Sequence, residues 1–290
     1  MMTTALFGSP VAPGQIELRR VDKSYGHGPA ARTVVQGCSF MAEANRFTVM
    51  IGPSGAGKST LARLIAGFEK PNRGEILVGG RTVTGPGRDR LVVFQESALF
   101  PWMSAEENIA YGPKATGGWT AETKSLCEFM LDKVGLNGFR RRYPSELSGG
   151  MQRRAELARA LVNNPAIMIL DEPFRGLDAM TRRLMLDYYA GLCEGAPRTN
   201  LFITTDIDEA IFFADRLLIM SHLPARVRAI IEVDLPKPRN LAALIRDDRA
   251  NAIKMEALSL LHEEALKAFT GGSRAASDFV ESYRHRLDAG

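Results

Sequence analysis

The fold of this chain is decided by the stretch Gly52-Pro53-Ser54-Gly55-Ala56-Gly57-Lys58-Ser59-Thr60. A glycine, four residues and then Gly-Lys-Ser is the pattern of a loop that cradles nucleotide phosphates. The glycines let successive backbone N–H groups point at phosphate oxygens, while Lys58 can reach the β- and γ-phosphates and the Ser59 hydroxyl can ligate Mg²⁺. An unliganded Gly-rich turn explains the glycines but not the Lys-Ser-Thr behind them, so the stretch predicts nucleotide binding.

The residues on either side of this loop predict a strand before it and a helix after it. Residues 47–51 are a short apolar run typical of a buried strand, and residues 61–66 have the composition of a helix. The N-terminus of that helix adds a positive dipole at the phosphate site. Strand, loop and helix in this order are the context that the motif requires.

The bulk composition allows a large core and disfavours a nucleic-acid-binding surface. The chain has 290 residues, 45% hydrophobic composition and a net charge of +4, which allows one large or two modest domains. The arginine clusters at 140–142, 153–154 and 182–183 are short and interrupted, so we interpret them as solvated helix faces. The cysteines Cys38, Cys127 and Cys193 show no close pairing, which suits a reducing compartment and gives no metal-site pattern.

The sequence shows neither a secretion signal nor a membrane span. Residues 1–14 lack a basic region followed by an apolar run. No segment approaches the roughly 18 consecutive apolar residues of a spanning helix. We therefore expect a cytoplasmic location, with another chain supplying any membrane-spanning part.

The composition and patterning along the chain predict three segments. Residues 1–15, punctuated by proline and glycine, are expected to be a mobile leader. Residues 16–235 should form the main α/β domain, with a helical subdomain inserted at about 97–160. Candidate core positions in that insertion are Trp102, Trp119, Phe129, Met130, Leu131 and Val134. Residues 236–290 are expected to be a mainly helical C-terminal extension, broken at Gly271-Gly272.

A second apolar strand, within residues 167–173, delivers two carboxylates at its C-terminal end. Ligands bind at this end of the strands in open α/β sheets. Asp171 is placed to hold Mg²⁺ directly or through water, and Glu172 to orient or deprotonate an attacking water. A surface Asp-Glu turn is the alternative, but the phosphate loop upstream disfavours it.

Two further features, at residues 148–150 and at Tyr25, are weaker evidence for nucleotide binding when taken by themselves. Ser148-Gly149-Gly150 opens a predicted helix, and this N-terminus could bind an anion. A plain N-cap explains Ser148 but not both glycines, which cost helix stability. Tyr25 ends a predicted strand, where a tyrosine is usually a packing residue, but beside a phosphate loop it could be a ring on which adenine stacks.

Together these features resemble the ATP-binding subunit of ABC transporters over roughly residues 16–235. The matching motifs, in chain order, are the aromatic A-loop at Tyr25, Walker A at 52–60, the Q-loop at Gln95, the signature at 147–152, Walker B with its catalytic glutamate at 167–172 and the D-loop at 176–178. The phrases at 94–102, 171–174 and 206–211 are similar to those of nitrate, sulfonate and taurine importers. The implied fold class is α/β, a P-loop NTPase (RecA-like) core with an N-terminal antiparallel β subdomain and an inserted helical subdomain.

The resemblance implies a site for ATP and Mg²⁺. Its implied catalytic residues are Lys58, Gln95, Asp171 and Glu172, and its implied metal ligands are Ser59, Gln95 and Asp171. The implied nucleotide-binding residues are Tyr25, Gly52, Pro53, Ser54, Gly55, Ala56, Gly57, Lys58, Ser59, Thr60, Gln95, Ser148, Gly149 and Gly150.

The resemblance also implies an assembly. A second ATPase subunit, identical or different, would pair head to tail with this chain, so that Ser148–Gly150 of one chain touch the γ-phosphate held by the other. Transmembrane permease subunits would carry a small anion such as nitrate, a sulfonate or taurine, and an extracytoplasmic solute-binding protein would deliver it. The chain would lie at the cytoplasmic face of the inner membrane as a peripheral protein. Nucleic acid is not expected, because the charge is weak for phosphate-backbone binding.

One position departs from the family pattern. The family usually carries a histidine before Asp206, where it contacts the γ-phosphate, and this chain has Thr205 there. Losing one preorganised donor to a transferring phosphoryl group costs about 10²–10³ in rate, so we expect slow hydrolysis. Three explanations stay open: Asp206 or a neighbour takes over positioning, a different partner ATPase does most of the turnover, or the substitution is tolerated.

Two other functions compete with the importer hypothesis. A soluble ABC-type ATPase acting on nucleic acid or ribosomes commonly has two cassettes or a long coiled coil, and this chain has neither. A binding-only module that closes on ATP with little turnover is favoured by Thr205 and disfavoured by Glu172. Co-purification with permease subunits distinguishes the importer subunit from a soluble ATPase. An ATPase assay of the purified chain distinguishes it from a binding-only module.

Overall fold

The computed structural model describes residues 14–193 and 198–270. Its strands are β1 (Ile16–Tyr25), β2 (Arg32–Ala42), β3 (Phe47–Ile51), β4 (Arg73–Val78), β5 (Arg81–Thr82), β6 (Arg90–Val93), β7 (Ile167–Asp171), β8 (Thr199–Thr204), β9 (Arg216–Met220) and β10 (Val227–Glu232). Its helices are α1 (Lys58–Ala66), α2 (Ala105–Ala115), α3 (Ala121–Lys133), α4 (Gly149–Leu161), α5 (Ala179–Cys193), α6 (Ile207–Phe213), α7 (Leu241–Leu244) and α8 (Asp248–Thr270).

The N-terminal strands form an antiparallel sheet in the order β2-β1-β4-β5. On β1, Ile16, Leu18 and Val21 are buried, and residues between them are more exposed. This alternation places one face of the sheet on a core and leaves the other toward solvent, as antiparallel sheets allow. The predicted antiparallel subdomain is confirmed.

The second sheet has the strand order β10-β9-β3-β8-β7-β6, and all neighbours except β10 and β9 run parallel. Its central strands β7 and β8 are buried along their whole length, as strands covered on both faces must be. Because parallel strands end at one edge, the loop after β3, Asp171 at the end of β7 and Thr205 after β8 meet there. This edge is the carboxyl edge of the sheet.

The helical insertion is built from α2, α3 and α4, and Met130, Leu131 and Val134 are buried as predicted. The prediction that Trp102 and Trp119 belong to the core is wrong, because they are 68% and 41% exposed. Trp102 lies against Phe100 with ring centroids 5.5 Å apart, and the Lys114 ammonium lies 4.9 Å from the Trp119 ring. These surface contacts cover one side of each indole.

Helices α7 and α8 follow the second sheet, and α8 packs back onto it. Ala250, Ala257 and Glu264 of α8 are buried. The Glu264 carboxylate accepts the backbone N–H of His222 at 3.0 Å, which holds α8 to the turn between β9 and β10. Of the leader predicted for residues 1–15, residues 1–13 lie outside the described residues, and so does the predicted break at Gly271-Gly272. None of the described helices is long and apolar enough to cross a bilayer.

Candidate nucleotide-binding site

Two glycines of the phosphate loop, Gly52 and Gly57, leave little room for a side chain. Gly57 has φ +85°, and a Cβ on it would lie 3.1 Å from the Val34 carbonyl oxygen. A Cβ on Gly52 would lie 2.8 Å from the Met220 Cβ. The loop is therefore pressed against β2 and β9, and this packing fixes its backbone before a ligand arrives.

Lys58 lies buried inside this loop, with 5% of its surface exposed. Its ammonium donates to the carbonyl oxygens of Gly52 and Pro53, both at 2.8 Å. Burial lowers the pKa of Lys58, and the nearby Glu172 and Asp171 oppose that shift. The loop thus holds a cation at its centre, where phosphate oxygens would meet it.

Asp171 lies at the end of β7, in the part of the site where the sequence predicts a cation. Burial raises its pKa, and a hydrogen bond with the Ser59 side chain works against this. Its Oδ1 atom is buried without a hydrogen-bond partner. Ser59, Gln95 and Asp171 line one pocket of about 390 Å³. An orphaned carboxylate oxygen beside a hydroxyl and an amide is an oxygen donor set that fits Mg²⁺.

Glu172 follows in a left-handed backbone conformation with φ +45°. Its N–H donates to the Ile203 carbonyl at 2.8 Å, which ties the turn to β8. One carboxylate oxygen accepts from Arg175 at 3.1 Å. Positive φ at a non-glycine residue is costly and often accompanies a functional constraint, and here it turns Glu172 out of the strand next to Asp171.

Thr205 is exposed at the end of β8, at the same edge. The neighbouring Asp206 is fully engaged: its Oδ1 accepts the backbone N–H groups of Asp208 and Glu209 as the cap of α6. Its Oδ2 accepts from Arg182 at 2.9 Å. Both carboxylate oxygens have structural partners, so the explanation in which Asp206 itself takes over γ-phosphate positioning is disfavoured.

Tyr25 ends β1 on the same side of the molecule as the phosphate loop. Its hydroxyl donates to Glu69 at 2.5 Å and also interacts with the Thr60 side chain. The residue is 40% exposed. The Lys23 ammonium lies 5.0 Å from the ring centroid. A partly exposed ring that is anchored at its hydroxyl end suits the predicted stacking role, which stays a prediction.

The signature residues lie apart from the phosphate loop, at the start of α4. Ser148 caps the helix by accepting the Met151 N–H at 3.3 Å, and Ser148 and Gly149 are exposed. A Cβ on Gly150 would lie 2.9 Å from the Thr181 methyl group, so close packing against α5 requires a glycine there. No hydrogen bond among the described residues joins 148–150 to the phosphate loop.

A buried ion pair links the signature helix to Gln95, and sequence reasoning missed it. Arg153 donates to the carbonyl oxygens of Phe94 and Gln95 at 2.8 and 2.6 Å and to Glu156 at 2.7 Å. Glu156 in turn accepts the Ala98 N–H. The interpretation of Arg153 as part of a solvated face is wrong, since it is buried. The signal was present in the Arg-x-x-Glu spacing, which puts both charges on one helix face.

Comparison with known proteins identifies the family. The profile described as ABC transporter matches residues 35–175. An uncharacterized ABC transporter ATP-binding protein of Methanocaldococcus jannaschii is 38% identical over 224 residues, which cover 77% of this chain and 82% of the relative. The chain belongs to the ABC transporter family. The resemblance drawn from the motifs is confirmed.

Relatives and solved structures extend this result. The nitrate import ATP-binding protein NrtD of Synechococcus elongatus is 37% identical, with 89% of this chain and 97% of the relative covered. The aliphatic sulfonates import ATP-binding protein SsuB of Bacillus cereus is 38% identical, with 78% and 88% covered. A dimeric ATP-binding cassette bound to ADP and Pi has a TM-score of 0.68 and 27% identity, with 76% of this chain and all of that chain covered.

These findings confirm the fold class and the enzyme class. The chain is an ATPase of the ABC transporter family, with a P-loop NTPase core, an antiparallel β subdomain and an inserted helical subdomain. The candidate nucleotide site lies at the carboxyl edge of the parallel sheet, where Asp171 and Glu172 lie near Lys58.

Proposed function

We propose that this chain is the ATP-hydrolysing subunit that powers an importer for small anions such as nitrate, sulfonates or taurine. The observation that carries the proposal is the pocket in which Ser59, Gln95 and the orphaned Asp171 Oδ1 come together beside the phosphate loop. The relatives named for nitrate and sulfonate import support the anion class.

Each residue of the site has a proposed role in hydrolysis. The phosphate loop and Lys58 bind the β- and γ-phosphates, and the Tyr25 ring stacks on adenine. Ser59, Asp171 and Gln95 would hold Mg²⁺, which would neutralise charge on the phosphate oxygens. Glu172 orients the attacking water and accepts its proton. The attack is in line with the bond to the leaving β-phosphate oxygen.

The exposed signature supports pairing with a second ATPase subunit. Ser148 and Gly149 are accessible at the N-terminus of α4, where helix dipole and free N–H groups attract an anion. Since they lie apart from the phosphate loop of their own chain, we propose that they complete the site of a partner ATPase. The dimeric cassettes among the solved relatives support this arrangement.

An aromatic surface beside Gln95 supports contact with permease subunits. Phe100 lies 5.5 Å from Trp102 and 4.6 Å from Tyr111 between ring centroids, and Trp102 and Tyr111 are exposed. Aromatic residues of this kind are enriched at interface hot spots. We propose that transmembrane subunits dock here, which would place the chain peripherally at the cytoplasmic face of the membrane. Arg153 would then connect that contact to the signature helix.

A second candidate is an ATP-switched subunit whose own site turns over slowly. The observation that favours it is Thr205 in an exposed position beside an Asp206 already held by Arg182 and the α6 cap. In that case the chain would pair with a different ATPase subunit that performs most of the hydrolysis. The full importer would still need both chains.

Steady-state ATP hydrolysis by the purified chain with Mg²⁺ is the first test, with Glu172→Gln as the matched inactive variant. We expect turnover that Glu172→Gln abolishes. Turnover equal in both proteins would overturn the assigned base. No turnover in either protein, restored by a second ATPase subunit, would favour the slow-site candidate.

Uptake by cells lacking the native chain tests the transport assignment. Cells complemented with the wild-type chain should accumulate labelled nitrate, taurine or an alkanesulfonate, and cells carrying Glu172→Gln should not. Equal uptake of all three anions in both strains would contradict the proposed substrate class while leaving the ATPase assignment intact.

A further inference from the structure

A second pocket lies at the amino edge of the parallel sheet, opposite the nucleotide site. Its volume is about 410 Å³, within the range of small-molecule sites. Its described walls come from the starts of β3 and β8, the ends of α5 and α6, and the segment 237–239. These elements are distant in sequence, and no motif marks them.

The wall formed by β3 and α6 is aromatic. Phe47 stacks on Phe213 with ring centroids 5.3 Å apart and planes inclined by 14°. Phe212 meets Phe213 edge to face at 5.0 Å. Ala190 of α5 lines the same pocket with only a methyl group. Stacked rings facing a small side chain leave a slot that suits a flat apolar group.

The charged part of the lining is positive. Among the described residues that form the wall, Arg198, Lys237 and Arg239 are cationic, and no carboxylate is among them. The Lys237 ammonium lies 5.0 Å from the Phe47 ring centroid and 2.6 Å from Asp215 Oδ1. It therefore stands at the rim of the aromatic wall, where it could also meet an anion.

Arg239 adds a second cation, which backbone carbonyl oxygens hold in place. Its Nη1 donates to the carbonyl oxygens of Ile211 and Ala214 at 2.8 and 2.6 Å, and its Nη2 to Leu235 at 3.1 Å. These bonds fix the guanidinium rigidly. The Nε atom is buried and makes no hydrogen bond with the described residues. Because that atom is shielded from the pocket, Arg239 contributes a fixed positive charge to the wall and not a free donor.

We propose that this pocket is a binding site for a small organic anion, composed of a flat apolar group bearing one carboxylate or sulfonate. The apolar group lies against Phe47 and Phe213, and the anionic group lies toward Lys237 and Arg239. This site is separate from the nucleotide site, and it does not depend on which solute the importer carries.

The test uses 8-anilinonaphthalene-1-sulfonate as a fluorescent probe on the full chain with a saturating non-hydrolysable ATP analogue. The analogue occupies the nucleotide site, so remaining probe fluorescence reports other sites. We expect 2-naphthoate to displace the probe. Its neutral counterpart 2-naphthylmethanol should bind at least about tenfold more weakly, since a charge-assisted hydrogen bond contributes about 1.5–3 kcal/mol.

Two substitutions with matched controls locate the site. Lys237→Gln should weaken 2-naphthoate binding about tenfold, while Lys254→Gln should leave it within about twofold. Lys254 is the matched control because it also pairs with an aspartate, Asp208, at 2.5 Å, but does not line the pocket. Ala190→Leu should abolish binding by filling the slot, and Ala252→Leu on the exposed face of α8 should not.

Several outcomes would overturn the proposal. One is complete displacement of the probe by the ATP analogue, and another is equal competition by naphthoate and naphthylmethanol. A third is unchanged 2-naphthoate binding by the Lys237→Gln variant. This variant keeps the apolar slot, so its result decides the question even if the Ala190→Leu variant fails to fold.

Discussion

The two edges of the parallel sheet differ in how their pockets are assembled. At the carboxyl edge, the phosphate loop directly follows β3, Asp171 ends β7 and Glu172 comes next, so short contiguous motifs supply most of the chemistry. At the amino edge, Phe47, Ala190 and Lys237 come from segments far apart in sequence. The first edge is encoded locally and the second only by packing, although both present cationic groups to an anion.

The energetic demands of the two edges differ as well. At the carboxyl edge, Asp171 Oδ1 is buried without a partner and burial raises the pKa of this carboxyl group, which costs folding free energy. At the amino edge, Arg239 binds the carbonyl oxygens of Ile211, Phe212, Ala214, Val233 and Leu235, which contributes stability. A substitution at the carboxyl edge should therefore reduce ATP hydrolysis without lowering the free energy of unfolding. A substitution of Arg239 at the amino edge should lower the free energy of unfolding without reducing ATP hydrolysis.

The largest expected effect is the loss of ATP hydrolysis in the Glu172→Gln variant. This substitution removes the proposed base and keeps the shape of the side chain. Hydrolysis should fall about 10³-fold, within the range for general bases, and the free energy of unfolding should change by less than about 0.5 kcal/mol. Urea denaturation beside a phosphate-release assay measures both. A loss of stability parallel to the loss of turnover would break the contrast between the edges.

The converse effect is expected for Arg239→Met, which keeps the apolar stem but removes the guanidinium. The carbonyl oxygens that it serves would lose their donor, so the free energy of unfolding should fall by about 3 kcal/mol. Hydrolysis per folded molecule, measured well below the melting temperature, should remain within about twofold of wild type. The matched control Arg246→Met, on an exposed turn of the same extension, should change stability by less than about 0.5 kcal/mol.

Glu209 makes stability at the carboxyl edge depend on pH. It is buried, its Oε2 accepts the Thr204 hydroxyl at 2.6 Å, and burial raises its pKa from 4.5 to about 7. Since the folded pKa lies above the unfolded value, the stabilisation is complete below about pH 4.5 and is lost as pH rises through about 7.

The Glu209→Gln variant measures that dependence. Between about pH 5 and pH 8, the wild type should lose about 3 kcal/mol more unfolding free energy than Glu209→Gln. Urea denaturation of both proteins across this range is the measurement. Identical pH profiles would show that Glu209 is already ionised at pH 5 and that burial does not govern it.

The smallest expected effect is at Thr205, where a histidine would restore a donor to the γ-phosphate. Thr205→His should raise turnover about tenfold, less than the full value of a preorganised donor. Thr205→Val tests whether the native hydroxyl contributes, since it keeps the shape and removes the donor. No change in either variant would mean that the substitution is tolerated and that the carboxyl edge is complete without this position.

Much of the geometry of the candidate nucleotide site could be predicted because its motifs set the local backbone conformation. Lys58 and Gly57 were identified from spacing alone, and the structure gives Gly57 a φ of +85° that few other residues adopt. The Asp178 carboxylate accepts the Met180 and Thr181 N–H groups at 3.1 and 3.0 Å at the start of α5, as an aspartate placed before a helix commonly does. Such features depend on neighbours a few residues away, which the sequence displays directly.

Features that depend on distant segments were not predictable in the same way. The sequence suggested a buried Trp102 and a solvated Arg153, and the structure reverses both. Apolar composition does not say which large side chains remain at the surface, and charge does not say which guanidinium finds buried carbonyl partners. Both outcomes depend on how the helical insertion packs against the Gln95 segment.

The sequence by itself determined the family, the phosphate loop, the paired carboxylates and the alternation of strands and helices, because these follow from spacing and periodicity along the chain. Only the tertiary structure decided the orphaned Asp171 oxygen, the engagement of Asp206 by Arg182 and the cationic pocket at the amino edge. Burial and hydrogen-bond satisfaction depend on every segment that reaches a site, and that information exists only once the chain has folded.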